Sequence, residues 1–222
     1  MKVVCIVQAR LGSTRFPCKI VADLCGRPML SHVLDRAAAI RGVDQVVLAV
    51  PTGDFKQLEH LWPDVFSGDE KDVLARYYAC AGYYEADVIV RVTGDCPLLA
   101  PDLAERALKA FLETMKGSGY LALCQPYATV ADGWDVEVFS RAILDEAQAK
   151  ALPKQREHVV TWMRDSGIVA KIPVAQDFSA MKLSVDTRED LKRVKLVMEY
   201  LNNSLDYSHE ATWEAWQRAG RP

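Results

Sequence analysis

The chain has 222 residues, half of them apolar, and carries 27 Lys and Arg against 30 Asp and Glu, a formal net charge of −3. This length and apolar content predict one sizeable folded domain, and the mildly acidic balance argues against a general nucleic-acid-binding face. No apolar stretch approaches the roughly 20 residues that span a bilayer, and no signal-peptide pattern precedes the first strand. The six cysteines form no Cys-x-x-Cys pair, which favours free thiols in a reducing, cytoplasmic protein.

The predicted elements of the first half alternate between buried strands and amphipathic helices. Uninterrupted apolar runs predict buried strands, and apolar residues at helical spacing predict helices. A turn at residues 51–54 and a short helix lead to a strand at Val65–Phe66, after which Ser67 is predicted to open a helix that ends at Tyr83 or Tyr84. The other predicted ranges are Val3–Val7, Gln45–Val50 and Asp87–Thr93 for strands and Pro28–Ile40 for a helix. This rhythm is typical of an α/β protein with a mostly parallel sheet.

The second half alternates less regularly, which predicts a mixed sheet. The predicted strands are Tyr120–Leu123, Asp135–Phe139, Ile168–Val174 and Lys182–Val185. The predicted helices are Pro101–Lys116, Arg141–Lys150, Gln155–Ser166 and Arg188–Leu201. A last helix with Trp213 and Trp216 is expected to dock on the domain or to form part of a dimer contact. We interpret residues 1–222 as a single domain with a substrate-binding or dimerisation insertion around residues 120–175.

A basic loop follows the first strand directly. It combines cations with small and hydroxyl-bearing residues, namely Arg10, Gly12, Ser13, Thr14, Arg15 and Lys19. Glycine lets the backbone approach an anion, hydroxyl and N–H groups can donate to phosphate oxygens, and the cations supply charge. Neither the Walker spacing nor a dinucleotide-binding glycine pattern is present. The loop therefore predicts a polyphosphate site of another type, with a solvated basic connection as the alternative.

Two aspartates come directly after predicted strands. Asp95 follows a buried strand, and Gly94 frees the turn between them. Asp186 follows the strand that ends at Val185, and the next residue, Thr187, fits a capping box with Asp190. Because Mg²⁺ is usually held by one or two carboxylates plus substrate phosphates, the two aspartates and the basic loop predict a Mg²⁺–triphosphate site. The alternatives are that Asp95 caps its own turn and that Asp186 caps the following helix.

Five motifs then occur in one order along the chain. They are Val7–Lys19, Gly68–Tyr77, Arg91–Leu98, Gly133–Phe139 and Ser184–Leu191. Together they resemble the cytidylyltransferases of the spore-coat polysaccharide protein F type, which are relatives of the Kdo and sialic acid cytidylyltransferases. The resemblance runs from the first strand to about Leu201, and five motifs in the same order are more specific than any one of them.

The resemblance implies a glycosyltransferase-A-like, Rossmann-like α/β nucleotidyltransferase fold, whose mostly parallel mixed sheet is flanked by helices. It also implies CTP as co-substrate, Mg²⁺ as cofactor, and attack by a small sugar or sugar-like acceptor on the α-phosphate with release of pyrophosphate. Arg15, Lys19, Asp95 and Asp186 would be the catalytic residues, and the two aspartates would hold the metal. The implied nucleotide-binding positions are Gln8, Ala9, Arg10, Gly12, Ser13, Arg15, Lys19, Ala49, Thr93 and Asp95. A homodimer that acts in surface polysaccharide or glycoconjugate synthesis is expected.

Three positions depart from the family pattern. Pro51-Thr52 replaces the usual Ala-Thr and acidic stretch at the exit of the second strand, which bears on base selectivity. Ser67 stands where Arg is expected, so that one cation is missing from the side of the site that would contact the nucleotide base. Cys18 stands where glycine is common, which predicts that this loop position does not need a positive φ.

The acceptor pocket is the least defined part of the sequence. Asp135 and Glu137 alternate on a predicted strand and so share one face, which the resemblance turns towards the acceptor. Two carboxylates there would favour hydroxyls or an amine over a second acid; the alternative is that both face solvent on an edge strand. Glu157 and His158, near the start of a predicted helix, are further candidates for acceptor binding, or else surface or core residues.

Three functions fit the sequence to different degrees. The CTP-dependent transferase accounts for the five motifs. A glycosyltransferase that uses a preformed nucleotide sugar would normally carry Asp-x-Asp after a central strand, whereas this chain has Thr93-Gly94-Asp95. A non-catalytic nucleotide-binding protein has no need of both the loop cations and the strand-end carboxylates.

Overall fold

The computed structural model describes residues 1–124, 129–165, 176–201 and 206–220, and the backbone of 170–171. Its strands are β1 Val3–Gln8, β2 Asp23–Leu24, β3 Arg27–Pro28, β4 Gln45–Pro51, β5 Val65–Gly68, β6 Val88–Thr93, β7 Tyr120–Leu123, β8 Val136–Ser140 and β9 Ala170–Lys171. Its α-helices are α1 Met29–Ala38, α2 Phe55–Leu58, α3 Val73–Tyr83, α4 Pro101–Thr114, α5 Arg141–Lys150, α6 Thr161–Asp165, α7 Arg188–Tyr200 and α8 His209–Arg218. Most predicted elements are therefore confirmed to within a few residues.

One mixed sheet organises the described residues. Its strand order is β5-β4-β1-β6-β8-β7-β9, and β2 pairs with β3 in a separate small hairpin. Neighbouring strands are parallel except where β8 runs antiparallel to β6 and β7. The α/β fold with a mostly parallel mixed sheet is thus confirmed.

Alternate residues of β1 point into two hydrophobic cores, one on each face of the sheet. Val3, Cys5 and Val7 pack with α1, α4, α7 and α8. Val4 and Ile6 pack with α3, α5 and α6. Burial on both faces explains why this strand is an uninterrupted apolar run. β1 is also paired in parallel with β6. Because Gln8 pairs with Thr93, the carboxyl ends of the two strands lie side by side.

The helix that was expected to open at Ser67 begins instead at Val73. Ser67 and Gly68 extend β5, because they pair in register with Val50 and Pro51 of β4. Asp72 caps the helix by accepting the backbone N–H of Ala75 at 2.8 Å. The capping signal was therefore five residues further along than the sequence analysis placed it.

Three other boundaries of the second half differ. The predicted helix Gln155–Ser166 is a 3₁₀ turn at Pro153–Gln155 followed by the short α6, and Ser166 lies outside the described residues. Of the predicted strand Ile168–Val174, only β9 is described. Lys182–Val185 forms a single bridge from Lys182 to Asp132, because the Asp132 N–H donates to the Met181 carbonyl at 3.0 Å and the Leu183 N–H donates to the Asp132 carbonyl at 2.6 Å.

The C-terminal tryptophans dock α8 on the domain. Trp213 and Trp216 stack with ring centroids 5.3 Å apart, and Trp216 is buried in the core that α4 and α7 share. All six cysteines are free thiols. Among the described residues, no helix combines the length and apolar character that crossing a bilayer demands.

Candidate active site

A cleft of about 340 Å³ opens at the carboxyl ends of β1 and β6. Eight of the ten predicted nucleotide-binding residues line it: Gln8, Ala9, Arg10, Ser13, Arg15, Lys19, Thr93 and Asp95. Gly12 is exposed and Ala49 is buried beneath the loop, where its carbonyl accepts the N–H of Ala9, and neither lines the cleft. Asp186, Glu157 and His158 line it as well. Four of the five motifs therefore contribute residues to one cavity, and Gly133–Phe139 does not.

Gly94 lets the ends of β1 and β6 come together. Its N–H donates to the Gln8 carbonyl at 2.8 Å. A Cβ at this position would lie 2.9 Å from the Cβ of Ala9, closer than real Cβ atoms come, and a tight 3.0 Å from the Gln8 carbonyl oxygen. The absence of a side chain thus permits the turn that carries Asp95 into the cleft.

Cys18 adopts a left-handed conformation with φ 56°, so the expectation that this position does not need a positive φ was wrong. The residue precedes a 3₁₀ turn at Lys19–Val21, and its N–H donates to the Leu11 carbonyl to close the basic loop. A non-glycine residue in this region costs roughly 1–2 kcal/mol.

Lys19 joins the two strand-end aspartates. Its Nζ donates to Asp95 Oδ2 at 2.9 Å and to Asp186 Oδ1 at 3.2 Å, and also to the Val185 carbonyl at 2.7 Å. Arg15 Nη2 lies 3.0 Å from the same Asp186 oxygen. The Val185 N–H donates to the Asp95 carbonyl, which fixes the two aspartates relative to each other. Residues 91 positions apart (186 − 95) therefore share one ammonium group.

Lys19 and Asp95 keep their charges in spite of partial burial. Burial acts to lower the pKa of Lys19, but Asp95 and Asp186 outweigh it and raise the pKa above its ordinary value. Burial acts to raise the pKa of Asp95, but Lys19 outweighs it and lowers that pKa. The centre is thus a set of opposite charges that stabilise one another at neutral pH.

Asp186 is not the cap of the helix that follows it. Thr187 is the N-cap of α7 and forms the predicted capping box with Asp190, whose side chain also accepts the N–H groups of Asp186 and Thr187. The Asp186 carboxylate is thereby left to face the cleft, where it contacts Arg15, Lys19 and, at 3.5 Å, Lys182.

Glu137 lies in a buried ion network. Its carboxylate accepts from Arg91, from the Tyr120 hydroxyl and, at 2.6 Å, from Arg164 Nη2. Because β8 lies between β6 and β7 and Glu137 is 1 % exposed, the alternative of a solvent-facing edge position is wrong for this residue. Neither Glu137 nor Asp135 is among the side chains that line the cleft.

Asp135 lies just before β8 and is half-buried. It accepts the N–H of Gly133 at 3.1 Å, and burial together with Asp132 and Glu137 raises its pKa to about 6. Arg91, which binds Glu137, also reaches the Gln8 side chain at 3.3 Å. The buried network therefore extends to the floor of the cleft, and acceptor binding by Asp135 stays a prediction.

Three residues of the cleft, Ile20, Val73 and Arg76, were not identified from the sequence. Val73 and Arg76, one turn apart on α3, both line it. Their spacing of three places them on one helical face, which is the signal that was available. That signal alone does not distinguish a cleft wall from an ordinary core-facing helix.

Comparison with known proteins decides the family. A model of the cytidylyltransferase family matches residues 4–208, nearly the whole chain. The chain belongs to the cytidylyltransferase family. It is therefore an enzyme, and the fold and the cytidylyltransferase family that the five motifs indicated are confirmed, whereas the spore-coat protein F type stays a prediction.

Individual relatives agree with this placement. A cytidylyltransferase structure from Leptospira borgpetersenii superposes with a TM-score of 0.90 at 29% identity, covering 100% of this chain and 96% of the other. An uncharacterised protein of Methanocaldococcus jannaschii is 32% identical over 86% of this chain and 81% of its own length. A 3-deoxy-manno-octulosonate cytidylyltransferase of Pelobacter propionicus is 34% identical, but the match covers 51% of this chain and 46% of that protein. The chain thus spans under half the length of that last relative.

In this cytidylyltransferase, replacing Glu137 by Gln is expected to lower the free energy of unfolding by about 3–5 kcal/mol, because two guanidinium groups lose their shared counter-charge. Burial acts to raise the pKa of Glu137, but Arg91 and Arg164 hold it below its ordinary value. Its stabilising contribution is therefore present above the unfolded-state pKa and is lost as pH falls through the folded-state pKa. Denaturant unfolding at several pH values should show that the variant lacks this decrease in the free energy of unfolding at low pH.

Glu146→Gln is the matched control, because Glu146 forms an exposed pair with Lys150. It should change stability by no more than about 0.5 kcal/mol. A Glu137→Gln variant as stable as the wild type that has lost only acceptor binding would show instead that Glu137 contacts the acceptor.

Proposed function

We propose that the chain transfers CMP from CTP to a hydroxyl group of a sugar acid or a related polyol or amino acceptor, with release of pyrophosphate. The observation that carries the proposal is the meeting of Asp95 and Asp186 on Lys19, within the cleft that the basic loop lines. Membership of the cytidylyltransferase family supplies the nucleotide, CTP. The proposed setting is surface polysaccharide or glycoconjugate synthesis, with a homodimer as the expected assembly.

The residues of the cleft fit a divalent cation. Asp95 and Asp186 present carboxylate oxygens that already share one positive group, and their side chains keep 30% and 24% exposure. Hard oxygen ligands of this kind, completed by phosphate oxygens and water, suit Mg²⁺. When bound there, Mg²⁺ would neutralise charge on the phosphates and help to orient them.

The other residues of the site would act by positioning and by charge. Arg10, Ser13 and Arg15 would bind the phosphates, and Lys19 would offset the charge that develops on pyrophosphate as it leaves. The acceptor oxygen would form a bond to the α-phosphorus while the bond from that phosphorus to pyrophosphate breaks, and the hydroxyl proton would pass to solvent. Such a reaction needs in-line alignment and charge neutralisation more than covalent help from the protein.

The acceptor class rests on two considerations. Glu157 and His158 are exposed on the cleft wall, where they can donate to and accept from hydroxyl groups. The relatives named 3-deoxy-manno-octulosonate cytidylyltransferase bear the name of a sugar acid. A polyhydroxylated acid therefore accounts best for the acceptor side.

Pyrophosphate release tests the proposal. Purified protein, Mg²⁺ and each of CTP, UTP, ATP and GTP are mixed with a panel of sugar acids, polyols and amino sugars. Release is expected with CTP and at least one acceptor, accompanied by a CMP-linked product in mass spectrometry, and is expected to stop on addition of EDTA. Turnover of a preformed nucleotide sugar, or release that EDTA leaves unchanged, would contradict the proposal.

A further inference from the structure

Arg76 is a buried guanidinium on the wall of the cleft. It is 2 % exposed, yet it is one of the lining residues. Its Nη1 donates to the backbone carbonyl of Asp69, whereas its Nε is buried without a hydrogen-bond partner in the part of the chain that the structure describes. Among the same residues, no carboxylate lies within ion-pair distance of it. A buried cation with an unsatisfied donor and no counter-charge lowers the stability of the fold unless a further group binds to it.

Two other guanidinium groups of the described chain have more partners within the protein. Arg91 is half-buried and has the Glu137 carboxylate as an ion-pair partner, although its Nε is also buried without a hydrogen-bond partner. Arg36, which is 3 % exposed, donates to the carbonyls of Leu99 and Tyr207 and lies over the Tyr207 ring. For Arg76, burial and, to a smaller extent, Arg10 lower the pKa, whereas Tyr77 and Asp69 oppose this change. The surroundings of Arg76 therefore favour a group that offers lone pairs.

The position of Arg76 places it beside β5. A Cβ on Gly68, the last residue of that strand, would lie 2.9 Å from Arg76 Cγ, so the arginine stem packs directly on the glycine backbone. Gly68 pairs in register with Pro51, at the end of β4. Arg76 thus belongs to the β4–β5 side of the cleft, whereas Lys19 and Asp95 lie where β1 and β6 end. Val73, one turn earlier on the same helix, adds an apolar surface to this wall.

We infer that Arg76 reads the base of the bound nucleotide by donating hydrogen bonds to acceptor atoms of cytosine. This inference rests on the proposed function, in which the triphosphate occupies the loop cations and the metal site. The base then lies on the remaining wall, with Val73 against its apolar face. Cytosine presents two neighbouring acceptors, O2 and N3, whereas uracil presents an N–H at position 3. A guanidinium fixed by Asp69 and Gly68 would therefore bind cytosine and leave a donor facing a donor with uracil.

Calorimetric binding of CTP, UTP and inorganic tripolyphosphate to the whole chain in Mg²⁺ buffer, without acceptor, tests the inference. The wild type should prefer CTP to UTP. Arg76→Lys, which keeps the charge but loses the planar fork, should reduce that preference by about tenfold or more, on the scale of one good bidentate contact to a base. Tripolyphosphate affinity should stay within about twofold of the wild type, because the triphosphate site is not altered.

Two further variants control for folding. Arg36→Lys alters an equally buried guanidinium that lies outside the cleft and should leave the CTP preference unchanged. Gly68→Ala displaces the Arg76 stem without removing its charge and should reduce the preference in the same direction as Arg76→Lys; it also serves if Arg76→Lys does not fold.

The other outcomes separate a failure of base reading by Arg76 from a failure of the proposed cytidylyl transfer. An unchanged ratio of CTP to UTP affinity in both Arg76→Lys and Gly68→Ala, or an equal loss of tripolyphosphate affinity, would overturn base reading by Arg76. In the second case Arg76 would be a phosphate ligand. A wild-type protein that does not bind CTP more tightly than UTP would overturn the proposed function itself.

Discussion

Asp95→Asn and Asp186→Asn are each expected to reduce cytidylyl transfer by at least about 10²–10³-fold, the scale on which one electrostatic contact to developing charge acts. Each substitution keeps the shape of the side chain and removes one of the two negative charges that share Lys19. The double variant should be little slower than either single variant, because groups that hold one ion act as a unit. Steady-state pyrophosphate release with CTP at saturation measures all three.

Asp145→Asn is the matched control for this series. Asp145 pairs with Arg141 on the surface of α5 and does not line the cleft, so the variant should turn over at the wild-type rate. If the loss of turnover in the double variant equals the two single losses multiplied together, Asp95 and Asp186 do not act on the same ion.

Lys19→Met is expected to reduce turnover on a similar scale, about 10²–10³-fold, while it increases the affinity of the nucleotide-free protein for a divalent cation. In the free protein the Lys19 ammonium occupies both carboxylates, so that an incoming cation has to compete with it. Removal of the ammonium leaves the Asp95 charge without its partner and so favours the cation. Titration with Mn²⁺, followed by electron paramagnetic resonance without nucleotide, measures this second effect separately from catalysis.

Lys192→Met removes a lysine whose partner is the exposed Glu189 and should change neither quantity. If Mn²⁺ affinity falls in Lys19→Met, Lys19 helps to hold the cation's ligands in place instead of competing with it. The competition that we describe would then be wrong, although the expected loss of turnover would stand.

The sequence was sufficient to predict features that depend on neighbouring residues or on parallel strand ends. β1 and β6 are predominantly apolar, and the carboxyl ends of parallel neighbours meet at one edge, so the convergence of the basic loop with Asp95 could be predicted. The capping box of Thr187 and Asp190 was also predictable, because its two residues lie within one helical turn. It indicated that Asp186 is not the helix cap.

The features that were missed depend on distant packing. The alternation of Asp135 and Glu137 predicts a shared face, but the two arginines that neutralise Glu137 come from β6 and α6, at positions that periodicity does not relate to it. Arg76 resembles any helical arginine until the end of β5 is packed against its stem. The left-handed turn at Cys18 is imposed by closure of the loop on Leu11, and a cysteine in the sequence gives no sign of it.

The hydrogen bond from Lys19 to the Val185 carbonyl spans 166 positions of the sequence, and the contact with Asp186 spans 167. Contacts of such long range form only after the intervening chain has been brought to order, because the entropy of closing the loop must be overcome first. We therefore expect the charged centre to assemble late in folding, after the central strands β1 and β6 have joined. A partly folded or newly synthesised chain that already has its central strands would lack a formed triphosphate site, so recovery of activity during refolding should lag behind recovery of secondary structure.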